Sequence, residues 1–158
     1  GKGKVVQKGK DITIVSFSEA LIQVLRLKNI LKQYGISAEI IDLRSLRPLD
    51  KNCIFRSVKK TKKLLVVDNG WKSYGIGAEI VSLVTEKLGS LKEKPIRLGI
   101  KEIPIPSTRA LAKECYLNSD SILSAISKLT KTKIKNKYLK SLSLKESDIP
   151  YKDFTGPF

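Results

Sequence analysis

Four short apolar runs, rich in β-branched residues, alternate with segments of helical periodicity, and this alternation constrains the fold more than any other feature. Residues 11–17 (DITIVSF), 36–43 (ISAEIIDL), 64–68 (LLVVD) and 96–100 (IRLGI) have the length and composition of strands. Helical spacing of apolar residues fills the gaps between them. It places Leu21, Val24, Leu25 and Leu31 on one face over 18–34, Ile54 and Val58 over 51–60, and Ile80, Val81, Val84 and Leu88 over 77–88. Crossovers of this length favour parallel neighbouring strands, joined in the right-handed sense. Because LLVVD is apolar almost throughout, it reads as a strand covered on both faces. The pattern predicts an α/β fold with three layers, α/β/α.

Local signals set the element ends. Ser18 is placed to cap the first helix, and Gly35 stands where a helix closes in a left-handed residue. Pro48 holds the 44–50 segment as a loop, Asp50 offers a cap to the second helix, and Gly89 ends the third. Residues 69–76 (NGWKSYGI) and the run Ile103-Pro104-Ile105-Pro106 read as loops. A short helix is expected over 107–114. A last amphipathic helix, capped by Ser119 or Asp120, aligns Ile122, Ile126 and Leu129. From residue 131 the periodicity stops. The expected division is therefore a domain over 1–130 and a Lys-rich, mostly irregular tail over 131–158, packed only where Tyr138, Leu139, Phe154 or Phe158 finds a groove.

Composition removes several chemistries. The 158 residues include no histidine, which rules out Ser-His-Asp and Cys-His catalysis and His-based metal sites. Cys53 and Cys115 are too few for a structural zinc site or a disulfide framework, and read as buried free thiols in a reducing compartment. Membrane association is not expected, because no apolar run reaches the ~18 residues of a membrane span. The opening GKGKVVQKGK lacks the apolar stretch of a signal peptide. A chain without any methionine fits better as a piece of a longer polypeptide.

Three motifs could carry chemistry, and each has a simpler structural reading. Gly75-Ile76-Gly77 opens a helix after a strand, but a dinucleotide fingerprint needs glycine where Ile80 stands. The two glycines are expected instead to let the helix start pack closely on the sheet. Asp42, Asp50, Asp68, Glu79 and Glu102 are candidates for acid–base work, yet no partner that would tune a pKa is evident, and a structural role is expected. The net charge of +16 would attract nucleic acid. Its basic residues are mostly lysine, with few interleaved aromatics, so a solvated surface is expected and nucleic acid is not an expected partner. A stand-alone basic module binding nucleic acid or an acidic protein remains the competing class.

The strings GKGKVVQKGKDITIVSFS, GISAEIIDLRSLRPLD, SVKKTKKLLVVDNGWKSYGIGAEI and IPIPS, in this order and followed by an ECYL segment, resemble one family. Over residues 1–130 the chain is similar to the C-terminal domain of the β subunit of thiamine-diphosphate-dependent 2-oxo acid dehydrogenases, the pyruvate and branched-chain decarboxylating components. The C-terminal domain of another transketolase-like thiamine enzyme is the neighbouring reading. The resemblance implies a transketolase C-terminal-domain-like fold: a mostly parallel, five-stranded sheet with one antiparallel edge strand, for which KVVQK at 4–8 can supply an extra strand.

It also implies an assembly in which an α-type subunit or half joins a second copy of this chain. The whole enzyme decarboxylates a 2-oxo acid on thiamine diphosphate and passes the acyl group to a lipoyl acyltransferase core, in the cytoplasm or, in a eukaryote, an organelle matrix. Thiamine diphosphate and Mg belong to other domains of that enzyme, and the Gly-Asp-Gly motif of the diphosphate site does not occur here. No catalytic, cofactor-binding or metal-binding residue is therefore assigned, and the chain alone is expected to be inactive. The family's Gly-Trp turn is matched by Asn69-Gly70-Trp71, which points to Trp71 and neighbouring Tyr74 as interface residues. Partner docking, through an acid before a loop proline and the terminal carboxylate, maps onto Glu93 and Phe158. Lysines crowd Glu93 in LKEKP, and like charges would weaken the docking of a basic partner.

Overall fold

A computed structural model describes residues 1–108 and 115–134. In chain order the elements are β1 (Lys4–Gln7), β2 (Ile12–Ser16), α1 (Ser18–Arg26), α2 (Lys28–Gln33), β3 (Ala38–Asp42), α3 (Lys51–Thr61), β4 (Leu64–Trp71), α4 (Ile76–Leu88), β5 (Ile96–Ile100) and, labelled α5 here, Ser119–Thr130. The sheet runs β1-β3-β2-β4-β5. Strands β2 to β5 are parallel to one another, and β1 pairs antiparallel with β3 through Lys4 opposite Asp42 and Val5 opposite Ile41. The expected five-stranded sheet with one antiparallel edge is present, and KVVQ forms that edge.

Strand alternation divides the core in two. Leu65 and Val67 of β4 join Ile12, Ile14 and Ile40 under α1, α2 and α5, where Val24, Leu31, Ile122 and Ile126 are buried. Leu64 and Val66 face the opposite way, with Val15 and Ile41, against Ile54 and Val58 of α3 and Ile80 and Val84 of α4. Residues 64–67 are all apolar because each side of the strand is roofed by helices. Burying a Leu, Ile or Val side chain contributes about 1.5–3 kcal/mol, so these two layers supply most of the driving force for folding.

A polar seam crosses the α3 side. The Thr13 hydroxyl is 2.7 Å from that of Ser57 and 2.7 Å from that of Thr61. Glu39, buried on β3, accepts from the Gly9 N–H at 3.2 Å and pairs with Lys60. Burial pushes the Glu39 carboxyl up, but hydrogen bonds from Lys60, Ser57 and Gly9 outweigh it and leave the group below its ordinary value.

Some helix ends differ from expectation. The first helical segment is divided into α1 and α2 at Leu27, whose N–H bonds to the Val24 carbonyl in a tighter turn. Ser18 is no cap: it lies at φ 54 immediately after β2, and Phe17 takes the cap position without a side-chain bond. The strand-to-helix turn is made at Ser18 in a left-handed conformation, which puts the residue inside the helix instead of at its cap. Asp50 does cap α3, accepting from the Cys53 N–H at 3.0 Å. The cap of α5 is neither Ser119 nor Asp120 but Asn118, one residue earlier, which accepts from Ser121 while Ser121 reciprocates in a capping box. Gly35 and Gly89 both have positive φ. The helix expected over 107–114 falls mostly on 109–114, outside the described residues, as does the tail beyond 134.

Candidate functional site

The carboxyl ends of the parallel strands form the edge of the sheet where ligand crevices of α/β proteins arise. Asp42 and Asp68 both lie there, but not as a pair. β2 separates their strands, which sets them roughly 10 Å apart at ordinary strand spacing, and alternation directs them to opposite faces. Asp42 accepts from the Arg44 N–H at 3.1 Å and pairs with its guanidinium at 3.4 Å. Asp68 is buried and accepts from the Gly70 N–H at 2.9 Å. Asp50 is occupied as a helix cap and by the Gly3 N–H. Glu102 accepts from Ser73. Among the described residues no three His, Cys, Asp or Glu side chains stand together as a metal-ligand set. Backbone N–H groups thus occupy Asp42, Asp50 and Asp68, the Ser73 hydroxyl occupies Glu102, and the described carboxylates form no set that fits Mg and a diphosphate.

What the edge does present is apolar surface. β4 continues past Asp68 to Trp71, through residues read from the sequence as loop, with a register shift between Val67 and Trp71. Trp71 is paired with Ile100 of β5 and is 60% exposed, while Tyr74 is fully exposed. Ile103 and Ile105 are also exposed, at 45% and 47%, just beyond β5. The sequence places these isoleucines in a loop and does not single them out. Their alternation with Pro104 and Pro106 was the available signal, since such a segment adds nothing to a sheet or helix that could bury them.

The 72–75 turn is clamped. A Cβ on Gly75 would lie 2.2 Å from the Trp71 carbonyl oxygen, and one on Gly99 would lie 2.8 Å from both the Gly70 carbonyl oxygen and the Lys72 nitrogen. Glycine is required at both positions because two backbones touch there. Arg97 donates to the Lys72 carbonyl at 2.9 Å, and Ser73 donates to Glu102. Gly77 packs over Val66, as expected for a helix start lying close on the sheet. Tyr74 itself holds φ 57, a conformation that costs a non-glycine residue about 1–2 kcal/mol. An exposed tyrosine and an exposed tryptophan thus stand three residues apart on a turn with little freedom left to lose.

Residues 1–122 match the family described as the transketolase C-terminal domain. The chain belongs to that family. The pyruvate dehydrogenase E1 component subunit beta, mitochondrial, of Dictyostelium discoideum is 40% identical over 131 residues, covering 82% of this chain and 37% of that protein. The pyruvate dehydrogenase E1 component subunit beta of Rickettsia felis is 35% identical over 130 residues, covering 82% and 40%. The chain thus spans well under half the length of these relatives. A solved split gene transketolase, an inactive beta4 tetramer, superposes with a TM-score of 0.72 at 25% identity, covering 84% of this chain and 43% of that one.

The remaining expected sites lie elsewhere in the fold. Glu93, in the loop before β5, is paired with Lys131 at 2.5 Å. That contact holds its carboxyl below the usual range, with the Lys131 charge and that of Lys63 acting in the same direction. Phe158 lies outside the described residues. Cys53 and Cys115 are both buried and not joined in a disulfide, and burial pushes the Cys53 thiol up. No helix among the described residues is long and apolar enough to cross a membrane.

Proposed function

We propose that this chain is the C-terminal assembly domain of a β-type subunit of a thiamine-dependent 2-oxo acid dehydrogenase. In this reading the domain runs over about residues 1–130, closing with α5, and joins an α-type subunit or half and a second copy of itself through Trp71, Tyr74, Ile103 and Ile105. The observation that carries it is the exposed Trp71–Tyr74 anchor on a clamped turn, in a chain whose relatives are pyruvate dehydrogenase β subunits. Thiamine diphosphate and Mg bind outside this domain, and the assembled enzyme decarboxylates the 2-oxo acid in a cytoplasmic or organelle-matrix compartment. Docking of the lipoyl acyltransferase core through Glu93 and the carboxylate of Phe158 belongs to the same reading, and a basic partner must displace Lys131 to reach Glu93. Unchanged affinity for that partner in Glu93→Lys contradicts the docking assignment.

The interface is tested by replacing both aromatics, Trp71→Ala with Tyr74→Ala, in the assembled enzyme. Sedimentation should show loss of assembly, with activity falling in step and KM for the 2-oxo acid unchanged in the residual assembled fraction. Full assembly, or a changed KM in that fraction, contradicts an interface role.

A further inference from the structure

At the opposite, amino end of the sheet lies a cavity of about 350 Å³, a volume within the range of small-molecule sites. Lys10, Lys63 and Lys92 line it, together with Thr61, Thr130 and Thr132, and the one acid on its wall is Asp11. These residues come from the segments entering β2, β4 and β5 and from the close of α3 and α5.

Helices α2, α3 and α5 all end here, and the carbonyls of a helix C-terminus ordinarily give lysines a reason to gather. That demand is largely met from within. Lys62 donates its N–H to the Val58 carbonyl, Ile36 to Leu31, and Lys92 to Lys62. The Lys63 carbonyl accepts the Thr13 N–H at 2.9 Å and the Thr61 hydroxyl at 3.2 Å. Asp11 accepts from the Ser37 N–H at 2.7 Å, and Glu93, next in the chain to Lys92, is held by Lys131. Backbone donors and a neighbouring lysine thus occupy the acceptors, while Lys10, Lys63 and Lys92 form no salt bridge among the described residues and, of the three, only Lys63 acts on Glu93, through its charge alone. Ammonium donors are in surplus around a cavity of defined size.

We propose that this cavity binds a small phosphorylated anion. Lysines serve phosphate as point charges, which makes Lys10, Lys63 and Lys92 its ligands, whereas the Thr61, Thr130 and Thr132 hydroxyls donate to the carbonyls of Lys63, Ile126 and Thr130 and only line the wall. The site is independent of the aromatic patch, which lies at the other end of the strands.

The test titrates inorganic pyrophosphate into the chain at constant ionic strength and follows backbone amides by NMR. Saturable shifts concentrated at Thr61, Lys63, Thr130 and Thr132 are expected. Lys63→Glu with Lys92→Glu should weaken binding by about tenfold or more. Lys2→Glu with Lys4→Glu, an equal change of charge outside the cavity, should leave it nearly unchanged. Equal weakening by both pairs overturns the proposal in favour of diffuse attraction to the +16 chain, and the absence of saturation overturns it outright. A glutamate decapeptide that shifts the same amides at lower concentration than pyrophosphate also overturns it, making the surface a docking site for acidic protein.

Discussion

The two ends of one sheet differ in almost every physical respect. At the carboxyl end Trp71, Tyr74, Ile103 and Ile105 are left in water on a turn fixed by backbone contacts and by Arg97. At the amino end lysines and hydroxyls surround a cavity, and the helix ends are closed by left-handed residues such as Gly35 and Lys62. The core between them is ordinary, with apolar side chains alternating to two roofed faces. Net charge therefore says little about where this chain meets a protein partner. Apolar exposure at one end favours association, and an excess of lysines over acids at the other favours an anion.

The comparison can be broken first at Gly75. Gly75→Ala forces a methyl against the Trp71 carbonyl and is expected to cost about 3 kcal/mol in denaturant unfolding. A near-neutral result would mean that the turn yields and that the anchor is not preorganised.

Next in size is Glu39→Gln, which leaves Lys60 without its charge partner and should cost about 2 kcal/mol. Its pH dependence has a definite sign. The folded carboxyl lies below its ordinary value, so its stabilisation is present above the unfolded pKa and is lost as pH falls through the folded pKa. Thermal melts should show a shallower acid decline in the variant than in the parent, and equal declines contradict the assignment.

Asn118→Ala removes the α5 cap at the carboxyl end and should cost about 1 kcal/mol. The smallest effect has the opposite sign. Tyr74→Gly relieves a left-handed tyrosine and should raise stability by up to about 1 kcal/mol while weakening self-association. A variant that loses stability and associates normally would remove Tyr74 from the interface.

Much of this was legible in the sequence because it rested on periodicity. The two-faced burial of β4 followed from LLVVD, and the Asp50 cap and the Gly35 stop followed from local chemistry. Family resemblance supplied the antiparallel β1, since four half-exposed residues carry too weak a pattern to announce a strand. Other features depend on contacts distant in sequence. The extension of β4 to Trp71 requires β5 alongside it, the division at Leu27 requires a tight turn, and the left-handed turn at Ser18 has no local sequence signal. Trp71 and Tyr74 could be named from a motif. Ile103 and Ile105 could not, because only the fold shows that nothing in the described residues buries them.

Trp71 is the only tryptophan in the chain, so its fluorescence reports on the proposed interface without ambiguity. Emission should move to shorter wavelength as protein concentration rises, in parallel with a sedimentation shift from monomer to dimer. A water-exposed emission maximum at every concentration, with sedimentation as a monomer throughout, contradicts the account.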